Sequence, residues 1–447
     1  MLFKDFFNED NSINWKRVET THEFCRLAKT PQSKIWHQEG DVLTHTKMVC
    51  AEMAKLLENN GIAKGTDVYT MSMIAALCHD LGKADTTKWS DEKNDYETKN
   101  HGIVGERITR KLFMEENIHH REMVCYMVRH HMTLHHVLDD LEKTDDRLIK
   151  LSYGLITIHT MLMLNEADSR GSKNDIETDE AITEKVCKIR ERCQELDCYN
   201  GSYSRGRYYS FLKKWNDIVT RDSDENNHEF VVYIMCGFPG CGKSTYIKNY
   251  LPNIKVISRD IIRCELGIGG ATVENQKKVV GNKEEEDRVT QVSDEKIREY
   301  CEKKMSFVID NTNLRSVYRK DILKKVLPYN PEIRIVYVEP NGGIEECMRR
   351  REGEIDRSVY ERMSKSFDFP QINECNELTI VKPVFVDGKE QHLTLTFTNS
   401  VLKGNKERIS LYQEFLYDLK ALKICAEKES FLEDLIKEYT NKIELEK

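Results

Sequence analysis

Residues 230–245, FVVYIMCGFPGCGKST, constrain this chain more than any other segment. The apolar run that ends at Cys236 reads as a buried parallel strand. The nine residues after it, Gly237 to Thr245, fit G-x-x-x-x-G-K-[ST], and a helix is expected next. Strand, glycine-rich turn and helix together make a phosphate cradle. Gly237, Gly240 and Gly242 let backbone N–H groups turn inward around phosphate oxygens. Lys243 brings a cation to the β- and γ-phosphates, and the Ser244 hydroxyl, followed by Thr245, can hold Mg²⁺. The cofactor expected here is ATP, or another nucleoside triphosphate, with Mg²⁺.

The pattern continues downstream of this loop. Residues 255–258, KVIS, read as a second strand, and Arg259-Asp260-Ile261-Ile262-Arg263 stand at its end. Two readings fit that spacing equally. Asp260 is a helix cap with Arg263 on the surface. Alternatively, Asp260 accepts a proton from an attacking hydroxyl while Arg263, one turn on, clamps an acceptor phosphate. A third strand, SFVID, ends in Asp310, placed as a Mg²⁺ helper. A fourth, IRIVYVEP, leads to CMRRREGEIDRSVYERM, where Arg349, Arg350 and Arg351 read as a lid over the phosphates or as a solvated helix face. Strands alternating with helices over 229–382 predict an α/β unit with a parallel sheet.

GxPGxGKST, R-D-x-x-R, a D-x-T-N strand end and an Arg-rich lid resemble the 5′-polynucleotide kinase branch of P-loop phosphotransferases. The resemblance covers roughly residues 230–380. It implies Asp260 as general base, Arg263 as reader of the acceptor's 3′ phosphate, and lid arginines on the donor phosphates. The family lid spaces two arginines four apart after an Asn. Here three are consecutive and the Asn is missing, which leaves the choice among Arg349, Arg350 and Arg351 open.

The other half differs in composition. Twelve of the fourteen histidines lie within residues 1–171. Apolar helices there deliver ionisable groups inward. MSMIAALCHD ends in His79-Asp80. His45 follows Val42 by three on a stripe with Val49, Met53 and Leu56. MVCYMVRHH carries His130 and His131, and LITIHTMLMLNEAD carries Asp168. Buried polar groups need partners. Several helices each bringing a His or an Asp point to a centre with mixed N/O ligands, suited to Mn, Fe, Co, Ni or Zn.

The ordered set His45…His79-Asp80…Asp168 resembles the HD-domain phosphohydrolases. The match runs over about 30–171, through WHQEGDVLTHT, HDLGK, His101 with Gly105, and Ala167-Asp168. It implies a helical fold holding one or two divalent metals against a phosphoester. His101 and His131 would complete a second metal position or bind phosphate, and Lys83 would touch substrate phosphate. The V-R-x-H spacing favours His131, with His130 as the alternative.

The expected architecture is multidomain. An all-α HD-type phosphohydrolase, 1–171, precedes a helical connector, 172–228, that ends in RDSDENN. The α/β P-loop kinase, 229–382, comes next. A hairpin around Asp387-Gly388 and a charged C-terminal helix fill 383–447. The KEEED run at 283–287 is the longest low-complexity stretch. The order of the two modules resembles bifunctional end-healing enzymes of RNA repair. That resemblance implies action on RNA or DNA ends, removing a 3′-phosphate or 2′,3′-cyclic phosphate and phosphorylating the 5′-OH. It also implies a separate RNA ligase as partner. An HD nucleotidase fused to a small-molecule kinase is the alternative, and a metal-free HD module that only binds nucleic acid is a third. A net charge of −8 excludes none of these, since an acidic chain can carry a local basic groove. The start MLFKDFFNED does not read as a signal peptide, no apolar run spans a bilayer, and fourteen cysteines without an export signal read as reduced thiols. The expected location is cytoplasmic, without a membrane partner. Monomer and homodimer both fit the sequence.

Overall fold

The computed structural model describes residues 1–139, 141–201, 228–268, 281–340, 343–351, 354–386 and 389–398. They fall into two compact units, one within residues 1–203 and one within 204–401.

The first unit is helical. Helix α1 (Val42–Asn59) starts where the Asp41 carboxylate accepts the Thr44 N–H, satisfying an N–H that the helix leaves unpaired. It buries Val42, His45, Val49, Met53 and Leu57. The expected Leu56 is only partly buried, because 3.6 residues per turn rotates the stripe onto Leu57. Helix α2 (Asp67–Cys78), capped by Thr66, is apolar on every side and buries nine side chains from Tyr69 to Cys78. It runs into the core and releases His79 and Asp80 at its C-terminal end. Helices α3 (His101–Leu112), α4 (Ile118–His130), α5 (Leu141–Ser152), α6 (Ile158–Arg170) and α7 (Asp179–Glu195) come next, and of these α4 and α6 pack against α2, as α1 does.

The all-helical expectation for this half needs one correction. Strands β1 (Thr87–Ser90) and β2 (Asp95–Thr98) form an antiparallel hairpin between α2 and α3. Trp89 faces Tyr96 across it, ring centroids 5.1 Å apart, and Asn94 takes the left-handed φ of 48° that the tight turn requires.

The second unit is built on a six-stranded sheet. Its strands are β3 (Val231–Cys236), β4 (Lys255–Ile257), β5 (Phe307–Ile309), β6 (Glu332–Val338), β7 (Glu377–Val386) and β8 (Lys389–Thr398), in the order β4-β5-β3-β6-β7-β8. All neighbours pair parallel except β7 with β8. Val386 opposite Lys389 makes the final pair a hairpin, and it belongs to this sheet rather than to a separate tail. Helix α8 (Lys243–Tyr250) comes after β3, and α9 (Arg259–Glu265) after β4. Helices α10 (Lys283–Glu302) and α11 (Ser316–Val326) flank β5, and α12 (Gly343–Arg350) and α13 (Arg357–Ser366) come after β6. The chain is thus a helical domain followed by an α/β domain with a mainly parallel sheet. The expected C-terminal helix and residues 202–227 of the connector lie outside the described residues. Every described cysteine is a free thiol.

Candidate active sites

In the helical unit the predicted ligands converge. His45, His79 and Asp168 form one group, and Asp80, His101 and His131 a second. His45 Nε2 lies 2.9 Å from Asp168 Oδ1, 3.4 Å from His79 Nε2 and 3.7 Å from Asp80 Oδ2. His101 Nε2 lies 3.0 Å from His131 Nε2 and 3.5 Å from Asp80 Oδ1. Asp80 therefore turns one oxygen to each group. Local backbone aims the rings: His79 Nδ1 donates to Ala76 O at 2.8 Å, and His131 Nδ1 to Val128 O at 2.7 Å. With Nδ1 committed in this way, each ring presents Nε2 to the centre. A Cβ on Gly82 would meet His101 O at 2.0 Å, so only glycine lets the HDLGK turn approach α3 closely enough to bring His101 in.

The electrostatics suit a cation. Asp80 is 1% exposed, and neither carboxylate oxygen has a hydrogen-bond partner. Lys83 Nζ is 2.8 Å from Oδ2 but lies out of hydrogen-bond alignment, and it donates to Gln32 Oε1 at 2.9 Å. A buried carboxylate left without a directed donor is costly unless a positive charge meets it. Burial alone would raise the Asp80 and Asp168 carboxyls; the neighbouring charges, His79 first, hold both well below the usual range. Burial pulls His79 down, yet the charges of Asp80 and Asp168 prevail and take it up to about 10. Burial lowers His101 to about 4 and holds His131 well below its ordinary value, which favours the neutral imidazole that a metal needs. Four imidazoles and two carboxylates fit one or two divalent transition metals.

Of the two candidate histidines where α4 ends, the structure brings in His131, the residue just past the helix; His130 packs on Tyr126, ring centroids 4.5 Å apart. Sequence reasoning missed three residues. Glu39 stands 3.0 Å from His45 Nδ1 and 2.9 Å from His37 Nδ1 and accepts the Lys173 N–H. His135 Nε2 sits 3.0 Å from Asp168 Oδ2. Glu39 and His37 lie inside WHQEGDVLTHT, which could have signalled them. His135 had no signal beyond the local richness in histidine.

In the α/β unit the loop from Gly237 to Gly242 wraps the N-terminus of α8. Gly240 has φ +80° and lies so close to the lid that a Cβ would meet Cys347 O at 2.8 Å and Arg351 Cγ at 3.0 Å. Of the three lid arginines, Arg351 is thus the one packed on the phosphate loop. Arg349 and Arg350 pair with Glu346, at 2.7 and 3.0 Å, and Arg349 is largely exposed. Tyr360 Oη donates to Pro239 O at 3.2 Å, tying α13 to the loop tip. Lys243 Nζ folds back onto the carbonyls of Gly237 and Phe238, both at 2.9 Å. Ser244 and Thr245 open α8. Asp310 stands just past β5, its N–H donating to Ile257 O at 2.9 Å.

Asp260 and Arg263 share the first turns of α9. Arg263 Nη1 donates to Asp260 Oδ1 at 2.7 Å, and its Nε and Nη2 grip Glu286 at 2.7 and 2.8 Å. Glu286 also receives Arg259 at 2.7 Å. Hydrogen bonds from Arg263 and Arg259 lower its carboxyl to about 2 against the pull of burial. Glu286 comes from the KEEED run, so a stretch read as low-complexity supplies a specific anchor.

Comparison with known proteins agrees with this division. Residues 42–156 match the family model described as HD domain, and residues 232–370 match the one described as AAA domain. The multifunctional CCA protein of Psychromonas ingrahamii is 33% identical over 133 residues, 29% of this chain and 28% of that protein. The chain thus spans little more than a quarter of that relative's length. A segment that matches the HD-domain model and carries a cluster able to hold a metal, and a segment that matches the AAA-domain model and carries a P-loop, stand in one chain. Among the described residues no helix is long and apolar enough to cross a membrane.

Proposed function

We propose that this protein heals nucleic-acid ends, RNA above all, phosphorylating 5′-OH termini with ATP in the α/β unit and clearing 3′-phosphate or 2′,3′-cyclic phosphate in the helical unit. The observation that carries the reading is Asp260 and Arg263 together on α9, on the sheet edge where the phosphate loop opens. Asp260 is half exposed and open to take the proton from a 5′-hydroxyl as it attacks the γ-phosphate. Lys243 and Arg351 neutralise the donor phosphates, and Ser244 with Asp310 holds the Mg²⁺ that ATP brings. Arg263 clamps the phosphate 3′ to the attacked sugar.

In the helical unit His45, His79, Asp80, Asp168, His101 and His131 would hold the metals. A divalent metal bound there supplies an activated water and neutralises phosphate charge. Lys83 faces the same cavity and orients the substrate phosphate, while Glu39 and His135 fix His45 and Asp168 in place. A separate ligase would then join the 3′-OH and 5′-phosphate.

Arg263's grip on Glu286 favours one rival, in which the arginine is structural and the acceptor is a small molecule. Three acceptors decide between them: a plain nucleoside, a nucleoside 3′-monophosphate and a 5′-OH oligonucleotide, each with ATP and Mg²⁺. The end-healing reading expects the last two to be phosphorylated and the first to be poor. Efficient phosphorylation of the plain nucleoside would favour the rival.

A further inference from the structure

The ligand cluster opens into a cavity of about 960 Å³ whose lining includes Trp36, Tyr96, Lys83, Asp80 and His101. That is the large end of ordinary ligand pockets, far more than a phosphate group needs. One buried carboxylate organises the wall. Asp95 accepts the Ser33 hydroxyl, the Lys34 N–H at 3.1 Å and the Tyr96 N–H at 2.8 Å. It therefore sews the segment carrying Trp36 to the hairpin carrying Tyr96. The segment is closed at its base by the Pro31–Asp41 bridge, and Trp89 braces Tyr96 edge-on. Though held in this way, Trp36 remains 49% exposed. A large ring carried at a cavity wall on an ordered segment and left half in water contributes little to a core and much to stacking. Two rim cations are already opposed, Lys93 by Glu97 at 3.0 Å and Lys185 by Glu177 at 3.8 Å. Among the described residues, the wall therefore lacks the row of unopposed charge that would track a long polyanion.

From this geometry we infer that Trp36 and Tyr96 form a stacking platform for the nucleobase of the terminal nucleotide whose phosphoester is hydrolysed, with Asp95 as its positioning residue. The inference rests on the proposed hydrolase activity of this unit. It makes the cavity a reader of one base next to the scissile phosphate rather than of a strand.

The test uses the full-length protein loaded with Mn²⁺ and three substrates: a 3′-phosphate oligonucleotide, the same strand with an abasic terminal residue, and p-nitrophenyl phosphate. Trp36→Ala should raise KM for the base-bearing end by about 10-fold or more while leaving its kcat and the abasic substrate unchanged. Trp36→Phe should restore it. Equal effects of Trp36→Ala on all three substrates would overturn the platform. So would a wild-type protein that hydrolyses p-nitrophenyl phosphate yet treats base-bearing and abasic ends alike, and that outcome spares the hydrolase reading. Wild-type protein inactive on all three removes the hydrolase reading, and the platform with it.

Discussion

Asp80 concentrates the chemistry of the helical unit in a single residue. It is buried, it faces both ligand groups, and its oxygens lack aligned donors. If it bridges two metals, metal content should fall stepwise. Wild-type protein is expected to hold two ions per chain, His101→Ala one, and Asp80→Ala fewer than one, read as a metal-to-protein ratio by elemental analysis. Asp80→Ala retaining two ions would rule out the bridge. A second prediction concerns His159, buried on α6 against Tyr199, ring centroids 5.1 Å apart. Burial lowers it to about 4 from an ordinary 6.5. Between those values the unfolded chain binds a proton that the folded chain refuses, so stability falls as pH drops through that window and flattens below it. The effect amounts to a few kcal/mol at most, since each unit is about 1.4 kcal/mol. Chemical denaturation of the protein and of His159→Gln, from pH 7 to 4, should show a smaller pH slope in the variant. Equal slopes would count against it. His79-Asp80 was visible in the sequence because a wholly apolar helix cannot end in two ionisable residues without a reason. His135 was hidden because it supports a ligand rather than interrupting an apolar pattern.

At the level of elements, the phosphate loop was the most legible feature. Its chemistry is local: an apolar strand, glycines and a helix start within sixteen residues. Its supports were not legible, because they arrive from far along the chain. Tyr360 reaches the loop carbonyl of Pro239 across 121 residues, and elsewhere in the unit Glu286 reaches Arg263 across 23 and Arg319 ties α11 to Glu374 across 55. The β1–β2 hairpin was missed because four-residue strands carry too short a period to stand out among helices. Two substitutions probe these elements. Arg263→Ala should raise KM for nucleoside 3′-monophosphates by about 10- to 100-fold and leave KM for ATP near wild type, as expected for a lost charged hydrogen bond of roughly 1.5–3 kcal/mol. A matching rise for ATP would make Arg263 a structural residue. Gly240→Ala places a Cβ 2.8 Å from Cys347 O at a left-handed φ. It should cut ATP-dependent phosphorylation at least about tenfold through local distortion of the loop and spare phosphoester hydrolysis, both assayed in one preparation.

In the molecule as a whole, each candidate ligand set is drawn from one unit alone, and the two sets suit different ions. Imidazole and carboxylate favour transition metals, whereas a P-loop uses Mg²⁺ held mainly by the nucleotide. After chelation, Mg²⁺ alone should restore phosphorylation, and hydrolysis should return only with Mn²⁺ or a similar ion. Both halves and their order were readable from the sequence. The sheet's continuation through β7 and β8 was not, since a DG turn marks a hairpin without saying which sheet it joins. Whether two independent phosphoryl sites heal both ends of one strand is decided with an RNA carrying 5′-OH and 2′,3′-cyclic phosphate ends. It is given to the wild-type, His79→Ala and Lys243→Ala proteins with ATP, Mg²⁺ and Mn²⁺, and both ends are mapped. Wild type should yield 5′-phosphate and 3′-OH, His79→Ala 5′-phosphate with an uncleared 3′ end, and Lys243→Ala the reverse. Loss of both reactions in folded His79→Ala protein would refute the independence of the two sites.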